Sequence, residues 1–335
     1  MSKKVVTMGE IMLRLSTPNN EKFIQADEFD INYGGGEANV AVSLANYGHE
    51  AQFVTAVPDN ELGECAVAAL RKYNVGTQNI ARCGERLGIY YLESGSSMRP
   101  SKVVYDRAHS SISTATAADF DFDKIFEGVD WFHFTGITPA ISDSAAVLTE
   151  EALKAAKKHG VKVSVDLNFR KKLWSSEKAQ KVMKNLMQYV DVCIANEDDA
   201  IGIFSMNPAD ANGEEKNAYI AKELMKKFPF KMVASVWRTE TSITTFKLQS
   251  MIYTEGKAYY SKEFFMHILD YIGAGDAYCA GLIYSLINNF DPQKAVEFSN
   301  AASCLKHTVS GDYNLVTVDE VMKLAFSDAG NEVQR

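Results

Sequence analysis

Six short runs rich in β-branched and aromatic residues, separated by stretches with helical spacing, constrain the fold of this chain more than any other feature. They are VVTMG (5–9), AQFVTAV (51–57), DWFHFTG (130–136), VKVSVDL (161–167), DVCIA (191–195) and KMVASVW (231–237). Between them, Ala38, Ala41, Val42 and Ala45 keep the i, i+3, i+4, i+7 spacing of an amphipathic helix, and Ala152, Ala155, Ala156 and His159 keep it less perfectly. Strand and helix in alternation predict a mostly parallel sheet with helices on both faces, a three-layer α/β/α unit. Two stretches, 12–33 and 87–108, break the rhythm and read as strands joined by turns. They are expected to form one small antiparallel sheet, a β lid on a main domain made of 1–11, 34–86 and 109–328. Residues 242–265 read as a hairpin turning at 255–256, so the large sheet should end in antiparallel strands. The tail after Ala329 reads as loose.

A chain of 335 residues with 46% hydrophobic content can bury the core that such a unit needs. Its formal net charge of -8 argues against nucleic acid or an anionic membrane as partner, since both require basic surface. Any anionic substrate must therefore be gripped by a few local arginines. No apolar run has the length of a membrane span and no leader is evident, so a cytoplasmic location is expected. Cys65, Cys83, Cys193, Cys279 and Cys304 stand singly, which predicts small buried thiols rather than a disulfide or zinc framework.

The chemistry concentrates in ILDYIGAGDAYCAG, residues 268–281. Glycines let a backbone turn tightly around a bulky anion, and the first N–H groups of the following helix point into the turn. Asp276 beside such a cradle reads either as the cap of a helix over 277–288 or as a reacting group whose charge a metal or a proton offsets. A Rossmann fingerprint is disfavoured, because position 278 is Tyr and the motif lies near the end of the chain. GGGEANVAVSLANYG (34–48) is a second glycine mouth, with Asn39 in the first helical turns. The pair supplies a layout for phosphoryl transfer, with one mouth admitting an acceptor and the other cradling phosphates beside a base.

These two motifs, in this order and with the strand insertions, resemble the ribokinase-like (PfkB) carbohydrate kinases over about residues 4–322. The resemblance implies ATP and Mg2+ as co-substrate and cofactor. It makes Asp276 the catalytic base and the amides of Gly273, Ala274 and Gly275 an anion hole. It maps an N-x-x-E motif onto NEDD, giving Asn196 and Asp199, with Asp199 reaching magnesium through water; an acidic first helical turn is the alternative for that residue. Arg238, in RTETSI where relatives carry a glycine-containing loop, could contact phosphate. Gly273 and Gly275 also fall to the nucleotide, with an adenine wall from 300–307 (Asn300) and the loop 310–314 (Gly311).

Within that family the chain is closest to 2-keto-3-deoxygluconate kinases. The likeness is carried by GIYYLE with Tyr90, VVYDRAHS with Tyr105 and Arg107, and DLNFRKKLW with Asp166, Asn168 and Arg170. An acid substrate needs guanidinium donors, and Arg107 and Arg170 are the candidates; Arg170 could equally face the ATP γ-phosphate. Glu10, Gly34, Gly35 and Asn39 would form the sugar floor, with a solvent-facing Glu10 as the alternative. The implied reaction is transfer of the γ-phosphoryl group to the terminal 6-hydroxyl, and the expected assembly is at least a dimer through the lid. A kinase for a neutral ketose such as fructose or for another deoxy-keto sugar acid, a silent sugar or nucleotide sensor on a kinase fold, and an NAD-dependent oxidoreductase are the competing readings.

Overall fold

Each of the six β-branched runs forms a strand, and the long connections between them keep neighbouring strands parallel, because a parallel pair needs a crossover that returns to the same edge. The computed structural model describes residues 2–207, 213–242 and 245–327. Its strands in chain order are β1 (Lys4–Met8), β2 (Met12–Ser16), β3 (Asp30–Gly34), β4 (Glu50–Val57), β5 (Ile80–Arg82), β6 (Gly88–Glu93) and β7 (Lys102–Asp106). They continue with β8 (Trp131–Thr135), β9 (Lys162–Asp166), β10 (Val192–Ile194), β11 (Met232–Ser242), β12 (Thr245–Thr254), β13 (Lys257–Tyr260) and β14 (Phe264–His267). The expectation for the tail after Ala329 lies outside the described residues.

The large sheet has the order β13-β12-β11-β10-β9-β8-β1-β4-β5, with β14 also paired to β12. From β11 to β5 every pairing is parallel, and β12 turns the edge antiparallel as the hairpin pattern predicts. The turn between β12 and β13 is Glu255 and Gly256, both at positive φ. Successive residues of one strand serve opposite cores. Val6, Met8, Phe132 and Phe134 face one hydrophobic cluster, whereas Val5, Phe53 and Trp131 face the other. Full burial of each such side chain is worth about 1.5–3 kcal/mol over exposure, which is why both faces must be covered.

Chain order reverses at β1: β4 and β5 follow to one side, β8 to β11 to the other. Open α/β sheets bind ligands in the crevice that opens beyond the carboxyl ends of the strands at such a point. The helix Gly36–Asn46 covers that crevice together with Ala274–Ile287, and its residues from Glu37 to Leu44 are all buried. The second spaced helix is Asp143–Lys158, with Ala152 and Ala156 inside and His159 outside, contacting Asp123.

The smaller sheet, order β3-β2-β6-β7, is built from the two insertions. Its outer pairs are antiparallel, but β2 and β6 pair in parallel at its centre. The crossover this requires is the segment through β4 and β5, so the lid grows out of the same end of the main sheet twice. Among the cysteines, Cys193, Cys279 and Cys304 are buried as expected, while Cys65 is exposed.

Candidate active site

The turn that opens on Gly273 explains why the two glycine mouths meet. Gly273 adopts φ 78°, and a Cβ there would collide with the Asp312 carbonyl, so the position excludes a side chain on two counts. The helix then starts at Ala274 rather than at 277, which places G-A-G-D in its first turn and leaves those leading N–H groups without intrahelical acceptors. Nothing lies within 4 Å of where a Gly275 Cβ would stand, so its face is open to a ligand. The partial positive charge of the helix start favours an anion there.

Asp276 does not cap its own helix. Its Oδ2 accepts a 2.7 Å hydrogen bond from Asn39 Nδ2, and Asn39 Oδ1 in turn accepts from the Gly35 N–H at 3.3 Å. Glycine is required at 35 because a Cβ would strike the Glu10 carbonyl. Burial raises the Asp276 pKa to about 7; Asn39 opposes that rise, the negative Glu37 and Asp312 add to it, and Arg170 opposes it. A carboxylate poised near neutrality is what a general base needs.

A cavity of about 430 Å³ runs from this turn to the lid. At the lid end Tyr90 and Tyr105 are cross-strand partners with ring centroids 5.8 Å apart. Tyr90 donates to Asp312 Oδ1 at 2.8 Å. Arg107 lies 5.6 Å over the Tyr105 ring and donates through Nη2 to Glu10 Oε2. Glu10 is therefore buried, not solvent-facing, and its Oε1 has no partner. An orphaned oxygen in a polar cavity is a ready acceptor for a hydroxyl. At the other end, Arg170 faces the acids Asp166, Asp199 and Asp276.

The carboxylates at that end bear on magnesium. Asp199 is 2% exposed, and its oxygens accept the Phe169 and Asn196 N–H groups, with Asn196 accepting from Asp199 in a capping box. The acidic-turn reading of Asp199 is thus the one its contacts match: its oxygens are committed to backbone. Asp166 differs, since among the described residues its carboxylate accepts one weak 3.4 Å contact, from Asn168. Burial, then Asp199 and Asp276, push its pKa well up. That crowding is what a divalent cation relieves, and oxygen ligands shared with water and phosphate are what magnesium takes. Among the described residues no group of three or more His, Cys, Asp or Glu side chains is placed to hold a metal ion.

The cavity gathers Glu10, Gly35, Asn39, Tyr90, Tyr105, Arg107, Arg170, Asn196, Asp199, Arg238, Gly273, Gly275 and Asp276 of the expected residues. Ala274 is buried behind it and Gly34 packs against Asp312 instead. Asn300 is a correction: it is fully buried and donates to the Leu248 and Lys262 carbonyls, tying helix to sheet. Gly311 is another, because its N–H serves Asp270 Oδ2 and it borders a separate cavity. RTETSI is not a loop at its start: β11 continues to Ser242 paired with β12, and Arg238 stacks 5.2 Å over Phe246. With no glycine to interrupt it, the extended backbone simply carries on.

Three residues were not anticipated. Asp312 lines the cavity beneath Tyr90, Glu37 accepts from the Thr135 N–H, Thr135 Oγ1 and Thr138 Oγ1, and Arg14 is buried against Asp312 and Asp270. The available signals were faint: a charge inside the apolar strand MLRLS and an acid amid GGGEAN.

Almost the whole chain is similar to known proteins. A 2-dehydro-3-deoxygluconokinase from Thermotoga maritima superposes with a TM-score of 0.94 at 49% identity, over 96% of this chain and 99% of that one. A 2-dehydro-3-deoxygalactonokinase from Haloferax volcanii is 33% identical over 98% of this chain and 99% of its own length. A 5-dehydro-2-deoxygluconokinase from Clostridium perfringens is 26% identical over 99% and 96%. Residues 2–318 match the model of the pfkB family carbohydrate kinases. With two glycine mouths closing on one aspartate and that match along almost its full length, the chain belongs to the PfkB family of carbohydrate kinases.

Proposed function

We propose that this sugar kinase transfers the γ-phosphoryl group of ATP to the terminal 6-hydroxyl of 2-keto-3-deoxygluconate, a synonym of 2-dehydro-3-deoxygluconate. The observation that carries the reading is one cavity with a neutral-poised base at one end and, at the other, a guanidinium over Tyr105 with Tyr90 beside that ring. The acceptor lies with its carboxylate toward Arg107 and its rings of hydroxyls toward Tyr90, Glu10 and Asp312. Its far hydroxyl reaches Asp276, which takes the proton as the new phosphorus–oxygen bond forms and the bond from the γ-phosphorus to the departing ADP breaks. The amides of Gly273, Ala274 and Gly275 hold the transferred group, an arrangement already oriented before charge develops. Arg170, among the acids of the transfer end, serves the phosphates rather than the sugar acid. Six carboxylates face three guanidiniums in the lining, so two anionic substrates require added positive charge. Asp166 would help hold magnesium, which would supply that charge.

Names of relatives support the acceptor class: all three reported above are kinases of dehydro-deoxy sugar acids. The test is the product: a phosphorus–proton correlation spectrum should place the new phosphate on C6, and phosphate on another carbon would overturn the orientation. The Glu10–Arg107 pair favours a second reading, a neutral ketose, because Glu10 already neutralises the guanidinium. Arg107→Met separates the two. A lost charge-assisted bond should raise KM for the keto acid about 10- to 100-fold and leave fructose untouched; an unchanged KM for the acid would favour the ketose. On the pH axis, Asp276 must be ionised to accept a proton. kcat/KM should therefore rise through about pH 7 and fall about tenfold per unit below it. A flat profile between pH 5 and 8 would remove Asp276 from that role. The exposed apolar side chains Ile24, Ile31 and Val104 of the lid support a dimer through that sheet, which a sedimentation result of monomer alone would exclude.

A further inference from the structure

Lys306 is an anomaly that phosphoryl transfer as described leaves unused. It closes the helix Pro292–Lys306 and is 0% exposed, although a lysine at a helix end ordinarily reaches water. Its Nζ donates to the Val309 carbonyl at 2.9 Å, and among the described residues no carboxylate lies within ion-pair distance of it. A buried ammonium with one neutral acceptor is costly to keep, so a merely structural helix stop is a poor account of it. An exposed lysine would complement the helix end as well without that cost.

Its surroundings indicate what the charge is for. A Cβ at Gly273 would stand 3.4 Å from Lys306 Cε, so the side chain runs directly behind the turn that opens the anion hole. Burial lowers the Lys306 pKa, and the charged groups that bear on it are Asp270 before the turn, Asp312 from the following loop, Arg14 from β2 and Asp276 within the turn, the three acids opposing that fall and Arg14 adding to it. His307, next on its own helix end, also feels it and is neutral by burial. Three acids thus crowd the loop meant to hold a phosphoryl group, and Arg14 is committed to two of them at 3.1 and 3.6 Å.

We propose that Lys306 is a positioning residue for phosphoryl transfer: its internal ammonium offsets the acids around the 270–276 turn so that the turn's amides accept an anion. The inference rests on the kinase reading of the same site and adds a component to it. Lys306 touches no substrate; it acts through the turn. Its contribution belongs to the transition state, where charge gathers at the amides, more than to acceptor binding at the lid end.

The test uses the full-length protein with Lys306→Met, which keeps volume without charge, and Lys306→Ala, which leaves room for a small solute. Both should fold cooperatively and keep the acceptor KM within about threefold, while kcat falls about 100-fold, the scale of losing one oxyanion donor. Propylammonium should restore Lys306→Ala by tenfold or more, and the uncharged 1-propanol should not. Full kcat in Lys306→Met, equal rescue by 1-propanol, or failure of both variants to fold would overturn the proposal in favour of a packing role. The parent reading fails separately, by silence of the unsubstituted protein with every acceptor.

Discussion

Asp276→Asn should lower kcat by about three to four orders of magnitude while leaving the acceptor KM nearly unchanged. The size follows from the role, since a positioned general base contributes about 10²–10⁴-fold and the asparagine also loses the charge that faces the attacking hydroxyl. Asparagine fits the space: Asn39 Nδ2, now 2.7 Å from Asp276 Oδ2, can donate to its carbonyl oxygen, so folding is unaffected. Steady-state kinetics at saturating ATP give the split between kcat and KM. A rise in KM at constant kcat would instead make Asp276 a binding residue and leave the reaction without a base.

Arg14→Met should produce the largest loss of stability, about 3–5 kcal/mol, because breaking a buried ion pair strands the opposite charge. The Arg14 side chain is 4% exposed and that of Asp312 is 2%, with 3.1 Å between Nη1 and Oδ2. Burial already pushes the Asp312 pKa up with Arg14 in place, and removing the cation raises that penalty further. Because Asp312 accepts from Tyr90, the same substitution loosens a tyrosine that lines the cavity. Urea unfolding at equilibrium measures the loss directly. A change below about 1 kcal/mol would place the pair in the class of solvent-screened bridges.

Local pattern carried the architecture. Alternating β-branched runs mark strands buried on two faces, and Glu255 with Gly256 marks a hairpin, because both signals lie within one element. What depends on distant pairing was illegible. The parallel join of β2 to β6 brings together two insertions far apart in the chain, and nothing within either one selects its partner's direction. The same reason hid the Arg14–Asp312–Tyr90 network, whose members come from β2, the last loop and β6.

At the site, glycine motifs announced the two turns that meet at Asp276 because their backbone demands are local. Asp199 reads two ways for a related reason: an acid three residues after an asparagine satisfies a capping box as readily as a metal motif, and here both oxygens meet backbone donors. Asn39 belongs to both descriptions, lining the cavity while holding Asp276. Asn300 showed the limit of placing a wall by position along a helix, for its amide turned out to face the sheet.

The most direct test of the account is magnesium-dependent ADP formation from ATP with 2-keto-3-deoxygluconate, run beside gluconate, fructose and ribose. The account predicts turnover with the keto acid and little with the other three, together with slow ATP hydrolysis when no acceptor is present. Turnover with fructose or ribose and none with the keto acid would contradict the acid-binding pocket around Arg107.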